Sequence, residues 1–173
     1  QKVSLKNFRI LSFEKEQDLV LFFKNYFNKQ DLPFEFQTIY SFIVNKVCAR
    51  YELNAEEFML AVNNILREEK IIFCGNLDEN FFNQHENISL QGANGYYSGI
   101  FYDAFSANST PEVWSTELLD LILKNAGQTC SFATYACRGV VKQMLLSHGF
   151  TLQKKDGFGN KKKSTFATRI NNL

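Results

Sequence analysis

The feature that most constrains this chain is a change of hydrophobic period near residue 70. Before it, apolar residues recur at three- and four-residue intervals: Ile39, Phe42, Ile43 and Val47, then Phe58, Ala61, Val62, Ile65 and Leu66. That spacing places them on one face of a helix, so residues 34–69 read as helical. Asn54, with Glu57 three places on, is a helix-start signature. After the change, short β-leaning runs take over, and each halts at a turn former or an acid. Ile71-Ile72-Phe73-Cys74 stops at Gly75-Asn76, and Gly99-Ile100-Phe101-Tyr102 stops at Asp103. A run of the same kind, Phe8 to Phe13, ends at Glu14 and leads into an amphipathic stretch from Gln17 to Asn28. Further on, the pattern predicts helices over 115–124 and 139–147, and strands over 129–135, 150–153 and 164–168. The Asn/Gly-rich stretch 83–95 reads as a loop. Strands alternating with helices indicate an α/β sheet that is parallel in its body, with 34–69 as a helical insertion. In such sheets ligands sit at the carboxyl ends of the strands, where Glu14, Asn76 and Asp103 all fall.

Composition narrows the class. A chain of 173 residues, 45% hydrophobic with two prolines, suits one compact domain and excludes disordered or collagen-like architectures. No apolar run approaches the roughly 18 residues of a membrane helix, and no charged-then-apolar signal opens the chain. The cysteines at 48, 74, 130 and 137 and the two histidines lack zinc-finger spacing, so neither a metal site nor a disulfide framework is expected. Buried free thiols in a reducing, cytoplasmic compartment are the expectation. The net charge of +1 conceals an asymmetry. From Arg138 onward there are eight basic residues (Arg138, Lys142, Lys154, Lys155, Lys161, Lys162, Lys163, Arg169) and one acid, Asp156, while the preceding 137 residues carry −6. A basic end of this kind attracts phosphates, although a solvated lysine-rich turn has the same composition.

The most informative stretch is Phe101-Tyr102-Asp103-Ala104-Phe105-Ser106, followed by Pro111-Glu112-Val113-Trp114. A carboxylate at a strand end beside aromatic residues can position an amine and take its proton. An Asp at that place also caps turns, and position alone leaves both readings open. Trp114 likewise reads either as a core anchor or as a stacking face.

These motifs, with Phe132-Ala133-Thr134-Tyr135, Gly139-Val140-Val141, Gly149-Phe150 and Gly157-Phe158-Gly159-Asn160-Lys161-Lys162, occur in an order that resembles a known family. It is similar to the methyltransferase component of the bacterial bifunctional tRNA 5-methylaminomethyl-2-thiouridine biosynthesis proteins. The resemblance is strong over 99–163, extends to Ser12-Phe13-Glu14-Lys15, and is weak over 30–98. It implies a Rossmann-like, S-adenosyl-L-methionine-dependent methyltransferase sheet, mostly parallel with an antiparallel last strand. It also implies methyl transfer to the aminomethyl group of 5-aminomethyl-(2-thio)uridine at the tRNA wobble position.

Residue by residue, the resemblance assigns Glu14 to the cofactor ribose hydroxyls and Asn76, where the family usually has Asp, to the adenine. It assigns Asp103 to the reacting amine. Phe105, Trp114 and Tyr135 become stacking faces for an unpaired base, and Lys161 and Lys162 phosphate contacts. The partners implied are tRNA and, for any oxidase step, a flavin-dependent oxidoreductase, either a separate polypeptide or a deleted C-terminal domain. One departure stands out. The family carries a Gly-x-Gly loop after its first strand, yet only 13 residues precede Glu14 and none is glycine. The chain therefore reads as a single, N-terminally incomplete methyltransferase domain that starts at the second strand. The competing reading is a non-catalytic RNA- or partner-binding α/β module. A Rossmann-like enzyme acting on a small molecule is a third, and it leaves the lysine cluster without a role.

Overall fold

A computed structural model describes residues 8–84, 97–104, 109–153 and 164–170. The chain divides into two compact units, Gln1–Leu77 and Asp78–Leu173.

The first unit contains β1 (Ile10–Ser12), α1 (Gln17–Phe27), α2 (Phe34–Tyr51), α3 (Ala55–Arg67) and β2 (Ile71–Phe73). β1 and β2 pair in parallel, with Ile10 opposite Ile71 and Ser12 opposite Phe73. The three helices meet in an aromatic-rich cluster in which Phe27, Val44 and Cys48 are buried against Phe23, Tyr26, Phe58, Met59, Val62 and Leu66. Asn54 caps α3 as its sequence predicts, its side chain accepting from the Glu56 and Glu57 amides at 2.9 and 3.0 Å. Both donors would otherwise lack an intrahelical partner. The helical period over 34–69 is thus two helices, broken at Glu52, which takes a left-handed φ of 53°.

The second unit runs α4 (Glu79–Gln84), β3 (Tyr97–Phe101), a 3-10 turn at Pro111–Trp114, α5 (Thr116–Lys124), β4 (Ala126–Thr134), α6 (Gly139–Ser147), β5 (Thr151–Gln153) and β6 (Thr165–Arg169). Its sheet has the order β3-β4-β6-β5. β3 pairs in parallel with β4, whereas β6 is antiparallel to both β4 and β5. The parallel body and antiparallel final strand agree with the sequence reading of an α/β, Rossmann-like sheet. β4 is flanked on both sides, and its Cys130, Phe132 and Thr134 are buried at alternate positions. That period of two directs them to one face. The core is completed by Leu118, Leu119, Ile122 and Leu123 of α5 and by Val141 and Leu145 of α6.

Arg169 closes the far end of this sheet. Its guanidinium donates to the carbonyls of Ala126, Gly127 and His148 and lies 5.0 Å from the Phe150 ring centre. Gly149, between α6 and β5, has a φ of 76°, a left-handed conformation that a side chain would strain. β1 is at one end of its ladder, and β3 is at one end of the four-stranded sheet.

Candidate functional site

In the first unit the nominated residues leave the same end of a parallel ladder. The Cys74 amide donates to the Ser12 carbonyl at 2.9 Å, which carries the pairing one step beyond the strands. Glu14 follows β1 by two residues. Asn76 follows β2 after Gly75, whose φ of 71° makes a sharp turn that favours glycine at that position. Glu14 is half-buried, and its Oε1 accepts from the Glu16 amide at 2.9 Å. Burial and, secondarily, the Glu14 charge raise the pKa of the Tyr40 phenol, which places that ring within the field of the carboxylate. Asn76 is exposed. The donor set suits the adenosyl portion of the expected cofactor. An ionised carboxylate only accepts, as a diol requires, and an amide can accept from an adenine amine while donating to a ring nitrogen.

In the second unit Asp103 and Tyr135 leave adjacent strands at the same level. Phe101 is opposite Ala133, and the Tyr102 amide donates to the Ala133 carbonyl at 2.8 Å. Continuing that parallel register brings Asp103 level with Tyr135. Asp103 is exposed, and Tyr135 is 41% exposed. Both therefore reach solvent at the carboxyl end of the sheet, where the topology directs ligands.

Trp114 corrects an expectation. It is only 8% exposed and meets the buried Tyr102 edge-on, ring centres 5.1 Å apart, with the Arg138 guanidinium 5.8 Å from its own centre. A ring packed in this way has no open face for a base, so Trp114 anchors the Pro111–Trp114 turn. Phe105, Lys161 and Lys162 lie outside the described residues.

Two residues at this end escaped the sequence reading. Tyr102, 4% exposed, donates its hydroxyl to the Val113 carbonyl and so fastens the strand end that bears Asp103 to the turn. Burial drives its pKa strongly upward, keeping the phenol protonated as a donor. Its place next to Asp103 was visible, but nothing in the sequence marked it as buried. Arg138, exposed at the start of α6, was counted only as part of the basic end. Its position immediately before Gly139, at the start of α6, was the available signal.

Among the described residues no group of three or more His, Cys, Asp or Glu side chains is arranged to hold a metal ion. No helix among them is long and apolar enough to cross a membrane.

Comparison with known proteins adds three kinds of finding. A family model described as S-adenosyl-L-methionine-dependent methyltransferase matches residues 49–170. Several curated relatives carry the name tRNA 5-methylaminomethyl-2-thiouridine biosynthesis bifunctional protein MnmC. The one from Hahella chejuensis is 42% identical over 65 residues, 38% of this chain and 10% of that protein. Those from Chromohalobacter salexigens and Legionella pneumophila (strain Corby) are 36% and 30% identical over 86 and 94 residues. These alignments cover 50% and 54% of this chain but only 12% and 13% of the relatives. The solved structure of MNMC2 from Aquifex aeolicus aligns with a TM-score of 0.40 at 22% identity, covering 57% of this chain and 28% of that one. The family model spans well over half of the sequence, including Asn76, Asp103 and Tyr135, and the chain belongs to the S-adenosyl-L-methionine-dependent methyltransferase family.

Proposed function

We propose that this chain transfers a methyl group from S-adenosyl-L-methionine to the aminomethyl nitrogen of 5-aminomethyl-(2-thio)uridine at the wobble position of tRNA. The observation that carries the reading is the pairing of an exposed carboxylate, Asp103, with an exposed aromatic ring, Tyr135, at adjacent strand ends. An unpaired base needs a ring to stack on, and a primary amine needs an acceptor for its proton. The curated relatives, whose name refers to biosynthesis of 5-methylaminomethyl-2-thiouridine in tRNA, the methylated product of this nucleoside, support the reading.

The cofactor, when bound, supplies a methyl group on a sulfonium centre. Glu14 accepts hydrogen bonds from the ribose hydroxyls, and Asn76 meets the adenine edge. Asp103 would accept a hydrogen bond from the substrate amine, hold it in orientation and take up the proton that the nitrogen loses. Alignment of two held reactants supplies much of the acceleration in a displacement of this kind. Phe105 adds a second stacking face, and Lys161 and Lys162 meet backbone phosphates.

The test is incubation with methyl-labelled cofactor and tRNA bearing 5-aminomethyluridine, followed by nucleoside mass spectrometry. Label in the 5-methylaminomethyl nucleoside is expected. Cofactor and tRNA binding with no transfer would leave the non-catalytic RNA-binding module as the better reading.

A further inference from the structure

We propose that the turn between β4 and α6, Tyr135 to Arg138, is a preformed contact for one unpaired nucleotide. Tyr135 carries its base, and Arg138 takes its phosphate. The proposal rests on the tRNA reading above and assigns to Arg138 a substrate contact.

The turn is held from both sides at its middle residue. The Ala136 amide donates to the hydroxyl of Thr134 at 3.1 Å, and the Ala136 carbonyl accepts from the hydroxyl of Thr165 at 2.7 Å. Both threonines are buried, at 6% and 3% exposure, so these bonds form away from competing water. With Ala136 fixed, the exposed side chains on either side of it project from a backbone that is already ordered. Ordering cost is what weakens most loop contacts to nucleic acid, and here folding has met it beforehand.

Arg138 is fixed in its turn. Its guanidinium lies over the buried Trp114 ring, and Trp114 packs on Tyr102, the neighbour of Asp103. Among the described residues no carboxylate lies within ion-pair distance of Arg138, and the first turn of α6 contains no acid. A planar cation, exposed, held by an aromatic face and not paired with an acid among the described residues, matches the geometry of a phosphodiester. The exposed ring of Tyr135 lies three residues away, at the level of Asp103. A nucleotide stacked there presents its base to the carboxylate and its phosphate to Arg138.

The experiment measures binding of the whole chain to an anticodon stem-loop RNA, with a fully paired RNA of equal charge as control, across a range of salt. Arg138→Ala should weaken loop binding roughly five- to tenfold and make its dependence on log salt shallower by about 0.7, the value for one phosphate on a single strand. Arg138→Lys should keep that salt slope and lose part of the affinity. Tyr135→Ala should weaken loop binding at least fivefold and leave duplex binding unchanged, since only an unpaired base can stack. Lys124→Ala is the control, because Lys124 precedes β4 at the opposite end of that strand and pairs with Asp120. It should change neither slope nor preference. Circular dichroism would establish that each variant is folded. Unchanged affinity and slope in a folded Arg138→Ala overturn the assignment while leaving the tRNA reading intact. Absence of RNA binding by the unaltered chain overturns both.

Discussion

Tyr102→Phe tests how the strand end bearing Asp103 is held. The substitution removes one oxygen and nothing else, from a ring 4% exposed and packed on Trp114 and Phe132. It deletes the donor to the Val113 carbonyl. A net loss of about 1–2 kcal/mol is expected, the usual cost of a buried hydrogen bond whose acceptor loses its partner. For a unit of this size each kcal/mol lowers the thermal midpoint by about 4–8 °C. The phenol also gives a pH test that packing alone cannot mimic. Burial raises its pKa in the folded state above the unfolded value near 10. Above pH 10 the unfolded chain therefore releases a proton that the folded chain keeps, and stability falls by about 1.4 kcal/mol per pH unit. The phenylalanine variant lacks that proton. Its deficit relative to the parent should be constant from pH 7 to 10 and should shrink above it, closing near pH 11. Urea unfolding at pH 7, 9, 10 and 11 reads this directly. A variant as stable as the parent at pH 7, or a deficit that does not narrow in alkali, would refute the reasoning.

Three further outcomes follow from the same structure. Leu119→Ala, at a fully buried position of α5, should cost about 3 kcal/mol by opening a cavity, as measured by urea denaturation. Asp120 accepts from Lys124 and pairs with His148 at 3.0 Å, and these partners hold its pKa below the ordinary carboxylate value. Its stabilising contribution is full above pH 4 and is lost as pH falls through the depressed folded value, so Asp120→Asn should flatten the acid limb of stability against pH below 4. Asp103→Asn should leave S-adenosylhomocysteine binding unchanged in calorimetry and lower transfer to tRNA by about a hundredfold or more. Unchanged transfer would remove Asp103 from the mechanism.

The elements that were legible in the sequence are those long enough to repeat an apolar period, although α2 buries Val44 and Cys48 and leaves Ile39, Phe42 and Ile43 of the expected stripe exposed. Helices α1, α2, α3, α5 and α6 each span at least two turns with an apolar stripe, and the structure has them within a few residues of the expected bounds. α4 was missed because six residues are too few to display a period. The start of β4, Ala126 to Gln128, was missed because Gly127 and Gln128 are weak strand formers and the pairing partners of this end lie outside the local sequence. The site divides in the same way. The strand ends carrying Glu14, Asn76 and Asp103 were visible as short runs halted by polar residues. The burial of Trp114 was not, because it depends on Tyr102 and Arg138 meeting it through tertiary contacts. Arg138 itself looked like one charge among eight. Its distinction comes from the ring beneath it and from the two threonine hydroxyls that fix the turn.

The central claim, that this chain takes S-adenosyl-L-methionine at the carboxyl ends of its strands, is tested most directly by calorimetric titration with S-adenosylhomocysteine. The titration is run on the chain and on a form of it extended upstream. Saturable one-site binding is predicted in at least one of the two, weakened at least tenfold by Glu14→Gln. Binding by neither form, or binding indifferent to Glu14, would contradict the account.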